Sequence, residues 1–227
     1  IFQMKLPENH TRETPICIFF AATADEGYAM RSWALADSLL ADGIGSIMLE
    51  NPYYGARRPA DQIACLLREF SDLFKMTCAS IYEGQALAHW LRREGYGSMA
   101  ATVSAITNFD VAVAPCVAPG GPGPAFINGV LKHSMHPSIM ETEEDWEYAK
   151  FMLNQPDVRR LPPPQRPDAA FLVGARNDAY VPQESVEIIH NHWAGSNLRW
   201  VDSGHVGSFL FHTGAFREAV KASFQAL

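Results

Sequence analysis

Short apolar runs of strand length alternate with amphipathic stretches along most of this chain, and that alternation constrains the fold more than any single motif. The runs at 14–23 and 43–52 have the composition of buried strands, and the stretch between them has the three- and four-residue spacing of a helix. Further strand-like runs follow at 109–117, 169–175 and 197–202. Repeated strand–helix–strand units predict a mostly parallel α/β sheet with helices on both faces.

Size and composition are those of one globular domain. The chain has 227 residues, and we expect a single domain over 1–227. Hydrophobic residues make up 48% and charged residues 19% of the chain, which excludes a disordered protein. The net charge of −7 and the scattered basic residues argue against a nucleic-acid partner and leave small-molecule or neutral lipid substrates.

The stretch at 118–166 interrupts the alternation. It contains the turn-forming APGGPGPAF, the acidic amphipathic ETEEDWEYAKFML with Thr142 as an N-cap candidate, and the stiff LPPPQRP. We expect this excursion to cover the carboxyl ends of the strands as a lid. The alternative is a solvent-exposed insertion with no role in binding.

Two loops in the last third of the chain each present a residue suited to acid–base catalysis. Asp178 in GARNDAYVP and His205 in SGHVGSFLF follow strand-like runs, so both are expected where parallel strands end. A carboxylate that binds one imidazole nitrogen fixes the tautomer and stabilises the imidazolium. Gly204 is expected to allow a sharp turn before the histidine. The alternative is that Asp178 caps the following helix and His205 is an ordinary loop histidine.

The cysteines and the paired histidines favour neither a metal nor a cofactor. Cysteines 17, 65, 78 and 116 have no CxxC spacing and lie in apolar contexts, so we expect reduced, buried thiols. Cys116 is a rival nucleophile, but its surroundings lack an elbow motif and favour a packed core thiol. His133 with His136, and His190 with His192, lack a third ligand at suitable spacing. We therefore expect no metal and no cofactor.

No targeting signal can be recognised in the first residues. The chain begins at Ile1 rather than methionine, and IFQMKLPENH is neither a signal peptide nor a membrane span. We expect an upstream segment and no transmembrane segment.

Several specific strings occur in an order typical of one protein family. ENPYYGARRPADQ (50–62), SDLFKM (71–76), HWLRREGYG (89–97), GVLKHSM (129–135), DAYVP and SGH resemble the α/β-hydrolase domain-containing protein 18 family over nearly the whole chain. The resemblance implies an α/β-hydrolase fold, a Ser-Asp-His triad and action on an acyl ester, lipid esters included. By the same correspondence Asp178 and His205 match the acid and the base. It also implies an intracellular, and more narrowly a mitochondrial, protein.

The sequence departs from the family at the nucleophile. Members carry a central strand and a GxSMGG elbow after EGYG, whereas this chain passes from Gly97 directly to Ser98, Met99 and Ala100. Tyr96 and Ala100 stand where the elbow needs glycines. Either a further segment of roughly ten to fifteen residues belongs near 97–98, or this is a variant without a nucleophile. On the first view, Ser98 is the best available nucleophile.

The second departure is in the loop AATADEGY at 21–28, which corresponds to AGTGDHGY in the family. Such a loop donates a backbone N–H to the oxyanion, beside the residue that follows the nucleophile. We therefore expect donors at Thr23, Ala24 and Met99. Ala24 replaces a glycine, and Glu26 brings a carboxylate that would oppose a developing negative charge if it faced the site.

Two hypotheses of different kinds follow. In the first, the chain is a serine hydrolase of carboxylic esters, with Ser98 as nucleophile, His205 as base and Asp178 as the orienting acid. In the second, the fold is a non-catalytic subunit or scaffold that binds protein partners in a larger assembly.

Overall fold

The computed structural model describes residues 1–100, 104–134 and 141–227. The strands are β1 (Phe2–Lys5), β2 (Ile16–Phe19), β3 (Gly45–Leu49), β4 (Met99–Ala100), β5 (Phe171–Ala175) and β6 (Asn197–Val201). The α-helices are α1 (Ala29–Arg31), α2 (Asp37–Ala41), α3 (Phe70–Arg93), α4 (Glu143–Leu153), α5 (Gln183–His192), α6 (His205–Phe211) and α7 (Thr213–Ala226). Two π-helical segments, Ser32–Ala36 and Pro124–Asn128, and several short 3₁₀ turns complete the described elements.

The strands form two hydrogen-bonded groups, ordered β1-β3-β2-β4 and β5-β6. β1 pairs antiparallel with β3, while β2–β3, β2–β4 and β5–β6 are parallel. Isolated parallel bridges through residues 112–116 connect β4 to β5, namely Ala100 to Ala112, Val113 to Ala170 and Cys116 to Val173. The parallel strands therefore all end at one edge, here called the carboxyl edge, and begin at the opposite amino edge.

Helices cover both faces of this sheet because side chains alternate along each strand. Ile16 and Ile18 of β2 pack in one core cluster with Leu91 of α3. Cys17, between them, joins a second cluster with Phe216 of α7. The predicted fold class, a mostly parallel α/β sheet with helices on both faces, is confirmed.

The central strand was expected to be missing, and this prediction is wrong. The chain after Gly97 forms β4 directly, with Met99 level with Ile16 of β2. Ile16 donates its backbone N–H to Ser98, and Ala112 donates its own to Met99, at 3.0 and 2.9 Å. Met99 and Ala100 are buried. Two residues therefore fill the gap that the sequence pattern leaves in the sheet.

The segment between β3 and β4 contains one long helix. Residues 59–69 form turns, and α3 then runs for 24 residues as a single helix. A capping box between Glu69 and Asp72 starts α3, and Gly95 follows its end with φ +93, a value that favours glycine.

The described part of the 118–166 excursion lies against the loop that follows β5. Val130 donates its backbone N–H to the Ala179 carbonyl at 3.0 Å. Thr142 caps α4 as predicted, since its hydroxyl accepts a hydrogen bond from the backbone N–H of Asp145. Residues 135–140 of the excursion lie outside the described residues. The excursion therefore reaches the carboxyl edge, as a lid would.

None of the helices in the described ranges is both long enough and apolar enough to span a bilayer.

Replacement of Phe216 by alanine should strongly destabilise the fold. The Phe216 side chain is 0% exposed and stacks edge-on against Phe209 with ring centroids 5.4 Å apart. Loss of a buried phenylalanine leaves a cavity and should lower the free energy of unfolding by about 3–5 kcal/mol, measured by urea denaturation. Phe211→Ala is the matched control, because Phe211 is 79% exposed and should change stability by less than about 0.5 kcal/mol. Equal effects of the two changes would contradict the packing described for α7.

Candidate active site

The turns after β5 and β6 are hydrogen-bonded to each other, which brings two distant parts of the sequence together. Arg176 donates its backbone N–H to the Val201 carbonyl, and Asn177 donates to the Ser203 carbonyl, both at 3.0 Å. β5 and β6 are in register from Phe171 with Asn197 to Ala175 with Val201. Both turns therefore leave the carboxyl edge at the same level.

Asp178 is fixed by three hydrogen bonds. Its Oδ1 accepts the backbone N–H groups of Tyr180 and Val181, each at 2.8 Å. Its Oδ2 lies 2.7 Å from Nδ1 of His205. The side chain is 1% exposed. A buried carboxylate with both oxygens engaged is held in one orientation, and it selects the His205 tautomer with a proton on Nδ1.

His205 is the first residue of α6, not a loop residue as the sequence pattern suggested. Its side chain is 22% exposed and lies between two aromatic rings, Tyr180 at 5.0 Å and Phe209 at 5.7 Å between centroids. No group in the described ranges forms a hydrogen bond with its Nε2. Nε2 can therefore accept a proton, while Nδ1 is hydrogen-bonded to Asp178.

Gly204 does not make the sharp turn that the sequence suggested. Its φ of −87 and ψ of 178 are extended values that other residues also adopt. A side chain at this position would instead come within 3.2 Å of the Asn177 carbonyl oxygen. The close approach of the two turns is the reason that a small residue precedes His205.

Ser98 lies at the opposite edge of the sheet from Asp178 and His205. It precedes β4, and its carbonyl accepts the backbone N–H of Ile16 at the start of β2. The four residues of β2 alone, at about 3.3 Å per residue, separate the two edges by roughly 10 Å. The prediction of Ser98 as nucleophile is incompatible with this placement. The elbow position after β4 falls at 101–103, outside the described residues.

The three predicted oxyanion donors also differ in their surroundings. Met99 is buried in β4, so its prediction as a donor is incompatible with the sheet. Ala24 is at the carboxyl edge, but its N–H is donated to the Tyr54 hydroxyl at 3.3 Å. Thr23 is exposed, and its N–H has no acceptor in the described part of the chain. Thr23 is thus the predicted donor that is free to bind a ligand.

Glu26 does not leave an uncompensated negative charge at this edge. Its carboxylate pairs with Arg58 at 3.1 Å and accepts the backbone N–H of Gly55 at 3.0 Å. The positive charge of Arg58 therefore reduces the repulsion that Glu26 would exert on an oxyanion.

All four cysteines are free thiols, but they differ in exposure. Cys17 is buried, Cys65 and Cys116 are partly buried, and Cys78 is exposed, so the prediction of a buried thiol is wrong for Cys78. Burial raises the pKa of Cys116 to about 12, so its thiolate is scarce at neutral pH.

Both histidines of the His190–His192 pair form hydrogen bonds with neighbouring groups. The His190 ring bonds to Ser196 at 2.8 Å and the His192 ring to the Leu161 carbonyl at 2.9 Å. His136 lies outside the described residues. Across the described ranges, no group of three or more metal-ligating side chains comes together.

Sequence patterns did not indicate the supporting residues of the site. Tyr180 and Phe209, which flank the imidazole, are unremarkable aromatics in the sequence. Their only signal is their position relative to the Asp178–His205 pair, here called the dyad. Tyr180 lies two residues after Asp178, and Phe209 lies four residues after His205. Tyr54 and Arg31 hold the 21–28 loop, and no local sequence pattern predicts these contacts.

Solved structures with the same arrangement of sheet and helices share little sequence with this chain. Est1E from Butyrivibrio proteoclasticus, with ferulic acid bound, is 14% identical, with a TM-score of 0.66 over 99% of this chain and 95% of its own. TT1662 from Thermus thermophilus is 14% identical, with a TM-score of 0.66 over 100% and 94%. The enol-lactonase from Burkholderia xenovorans LB400 is 11% identical, with a TM-score of 0.54 over 98% and 95%. The fold is that of the α/β hydrolases.

The sequence then defines the family within that fold. The model of the family described as "Alpha/beta hydrolase domain containing 18" matches residues 1–152 and 135–226. The chain therefore belongs to the alpha/beta hydrolase domain containing 18 family.

Alkylation of the native protein should discriminate among its thiols. Iodoacetamide at mildly alkaline pH should modify exposed Cys78 well before Cys17 or Cys116, because burial raises the pKa of the Cys17 and Cys116 thiols and limits access of the reagent to them. Peptide mass spectrometry measures the rates, and unfolding in guanidinium chloride should make all four thiols react. Rapid modification of Cys116 in the native protein would reinstate it as a candidate nucleophile.

Proposed function

We propose that this site belongs to a hydrolase of carboxylic esters in which His205 is the general base and Asp178 holds it. The observation that carries the proposal is the 2.7 Å hydrogen bond from His205 Nδ1 to a buried carboxylate, with Nε2 left as proton acceptor. This is the acid–base half of the serine hydrolase mechanism. Membership of an α/β-hydrolase family supports the same chemistry.

The proposed reaction uses the residues that the site supplies. His205 Nε2 takes a proton from water as the water oxygen bonds to the ester carbonyl carbon. The ester C–O bond then breaks, and the imidazolium returns the proton to the leaving alkoxide. Asp178 stabilises the imidazolium while it exists. The backbone N–H of Thr23 is the proposed donor to the oxyanion.

The helix that begins with the base exposes apolar side chains, which favours an uncharged, apolar substrate. Val206, Leu210 and Phe211 of α6 are exposed, and residues 203–214 contain no Asp, Glu, Lys or Arg. Such a surface suits an acyl chain more than a charged group. A lipid ester therefore belongs among the proposed substrates. A mitochondrial location is proposed on the family resemblance alone, and fractionation of cells tests it.

A second candidate function is a non-catalytic one. Ser98 at the amino edge, together with an Ala24 N–H already bonded to Tyr54, favours a fold that has kept the acid–base pair without a nucleophile of its own. In that case the protein binds partners in a larger assembly.

An esterase assay on the purified chain tests the proposal. With p-nitrophenyl acetate and longer-chain p-nitrophenyl esters, His205→Ala should lower kcat/KM by about a hundredfold or more because it removes the base. Asp178→Asn should lower it by at least about tenfold, through the wrong tautomer. Ser98→Ala is the matched control and should leave it unchanged.

The same proteins separate the alternatives. Hydrolysis that survives His205→Ala would overturn the assigned base, and hydrolysis lost in Ser98→Ala would overturn the placement of that serine. A folded protein with no activity above the uncatalysed rate supports the non-catalytic function. Covalent labelling by a fluorophosphonate probe would reveal a hydroxyl nucleophile and replace direct attack by water.

A further inference from the structure

Four consecutive residues of the loop at the carboxyl end of β2, 24–27, are each held by Arg31 or by the 50–58 segment. These 50–58 residues include the NPYYGARR string that marks the family. The acid–base chemistry proposed above makes no use of them. Their contacts point to a role in setting the conformation of the loop that should bind the oxyanion.

Arg31 ties the loop to the end of β3. Its Nη1 donates to the Leu49 carbonyl at 2.6 Å and its Nη2 to the Gly27 carbonyl at 2.5 Å. Its Nε lies 2.7 Å from Oδ2 of Asp25. Both side chains of this ion pair are buried; burial raises the pKa of Asp25, and Arg31 opposes that rise. A planar guanidinium with several fixed donors can hold all of these groups at once.

The 50–58 segment holds the other face of the loop. Glu50 is buried, and its carboxylate accepts the backbone N–H of Gly27 at 3.0 Å. Arg58 and the N–H of Gly55 hold Glu26, as described above. Arg57 anchors this segment to α3 through two hydrogen bonds to Glu83, both 2.6 Å. The 50–58 segment therefore restrains the loop at Glu26 and Gly27.

Tyr54 makes the contact that bears on chemistry. Its ring is 2% exposed, and its hydroxyl accepts the Ala24 N–H at 3.3 Å. Burial raises the pKa of Tyr54, so the hydroxyl keeps its proton at neutral pH. Ala24 has φ +66, a left-handed value that costs a non-glycine residue on the order of 1 kcal/mol and persists only when neighbours enforce it.

We propose that Tyr54 is a positioning residue that occupies the Ala24 N–H and so withholds it from a substrate oxygen. The inference rests on the proposed function for its catalytic consequence, but not for the contact itself. In the wild type, Thr23 is the one of the two predicted loop donors whose N–H has no acceptor in the described ranges. Without the tyrosine hydroxyl, the loop keeps its anchors at Arg31 and Glu50 and offers the Ala24 N–H as a second donor.

Tyr54→Phe is the test, because it removes the acceptor and keeps the buried ring. By NMR, exchange of the Ala24 amide with deuterium should become roughly fivefold faster, the effect of losing one neutral hydrogen bond. Affinity for phenylphosphonate, an anion shaped like the tetrahedral intermediate, should rise by a similar factor. If the protein hydrolyses p-nitrophenyl acetate, kcat should rise while KM changes little, since the added donor acts on the transition state.

Tyr53→Phe is the matched control, since the Tyr53 hydroxyl interacts with Asp72 of α3 rather than with the loop. It should change none of the three measurements. Unaltered exchange of the Ala24 amide in Tyr54→Phe, or unaltered phosphonate affinity, overturns the inference. Faster exchange and tighter phosphonate binding in a protein without esterase activity uphold the inference and overturn the proposed function.

Discussion

The parallel register of β5 and β6 is the constraint on which the site depends. Five residue pairs, from Phe171 with Asn197 to Ala175 with Val201, bring both strands to the carboxyl edge at the same height. Asp178 and His205 follow within a few residues, and backbone hydrogen bonds between the two turns leave little freedom for either. A shift of register by one residue would reverse the faces of every β6 side chain and separate carboxylate from imidazole. The pairing of β5 with β6 therefore brings Asp178 and His205 close enough to form their 2.7 Å hydrogen bond.

Much of this arrangement can be predicted from sequence, because it follows from local patterns. Strand-like runs, continuous for β2, β3 and β5 and mixed with polar residues for β6, identify these strands, and Asp178 and His205 each follow such a run within a few residues. β4 could not be identified in this way, since two residues have no periodicity and their strand conformation comes from the partners Ile16 and Ala112. The prediction of Ser98 as nucleophile failed for the same reason. That role came from the family resemblance, whereas the edge at which Ser98 lies is shown only by the hydrogen bonds between β4 and its neighbours.

Contacts between residues far apart in the sequence account for the rest. Glu26 appeared to be an unfavourable charge near an oxyanion, yet Arg58, 32 residues away, pairs with it. Arg31 lies in an amphipathic stretch that predicts a helix, but its side chain is turned inward to carbonyl groups and to Asp25. No periodicity encodes such pairs. A charged residue in a helical pattern is ordinarily expected in solvent, and here burial of the charge organises the neighbouring loop.

The shortness of β4 has a mechanical consequence. The loop after β2 belongs to one group of strands and the dyad to the other. In the described ranges, one bridge, from Ala100 to Ala112, joins β4 to the 112–116 stretch, which in turn forms bridges to Ala170 and to Val173 of β5. α7 crosses this seam, with Phe216 in one cluster with Cys17 and Val173. Core packing under α7, as well as strand pairing, therefore joins the two groups of strands. A ligand that contacts both the loop after β2 and the Asp178–His205 pair would add a further connection between the two groups and stabilise the folded protein.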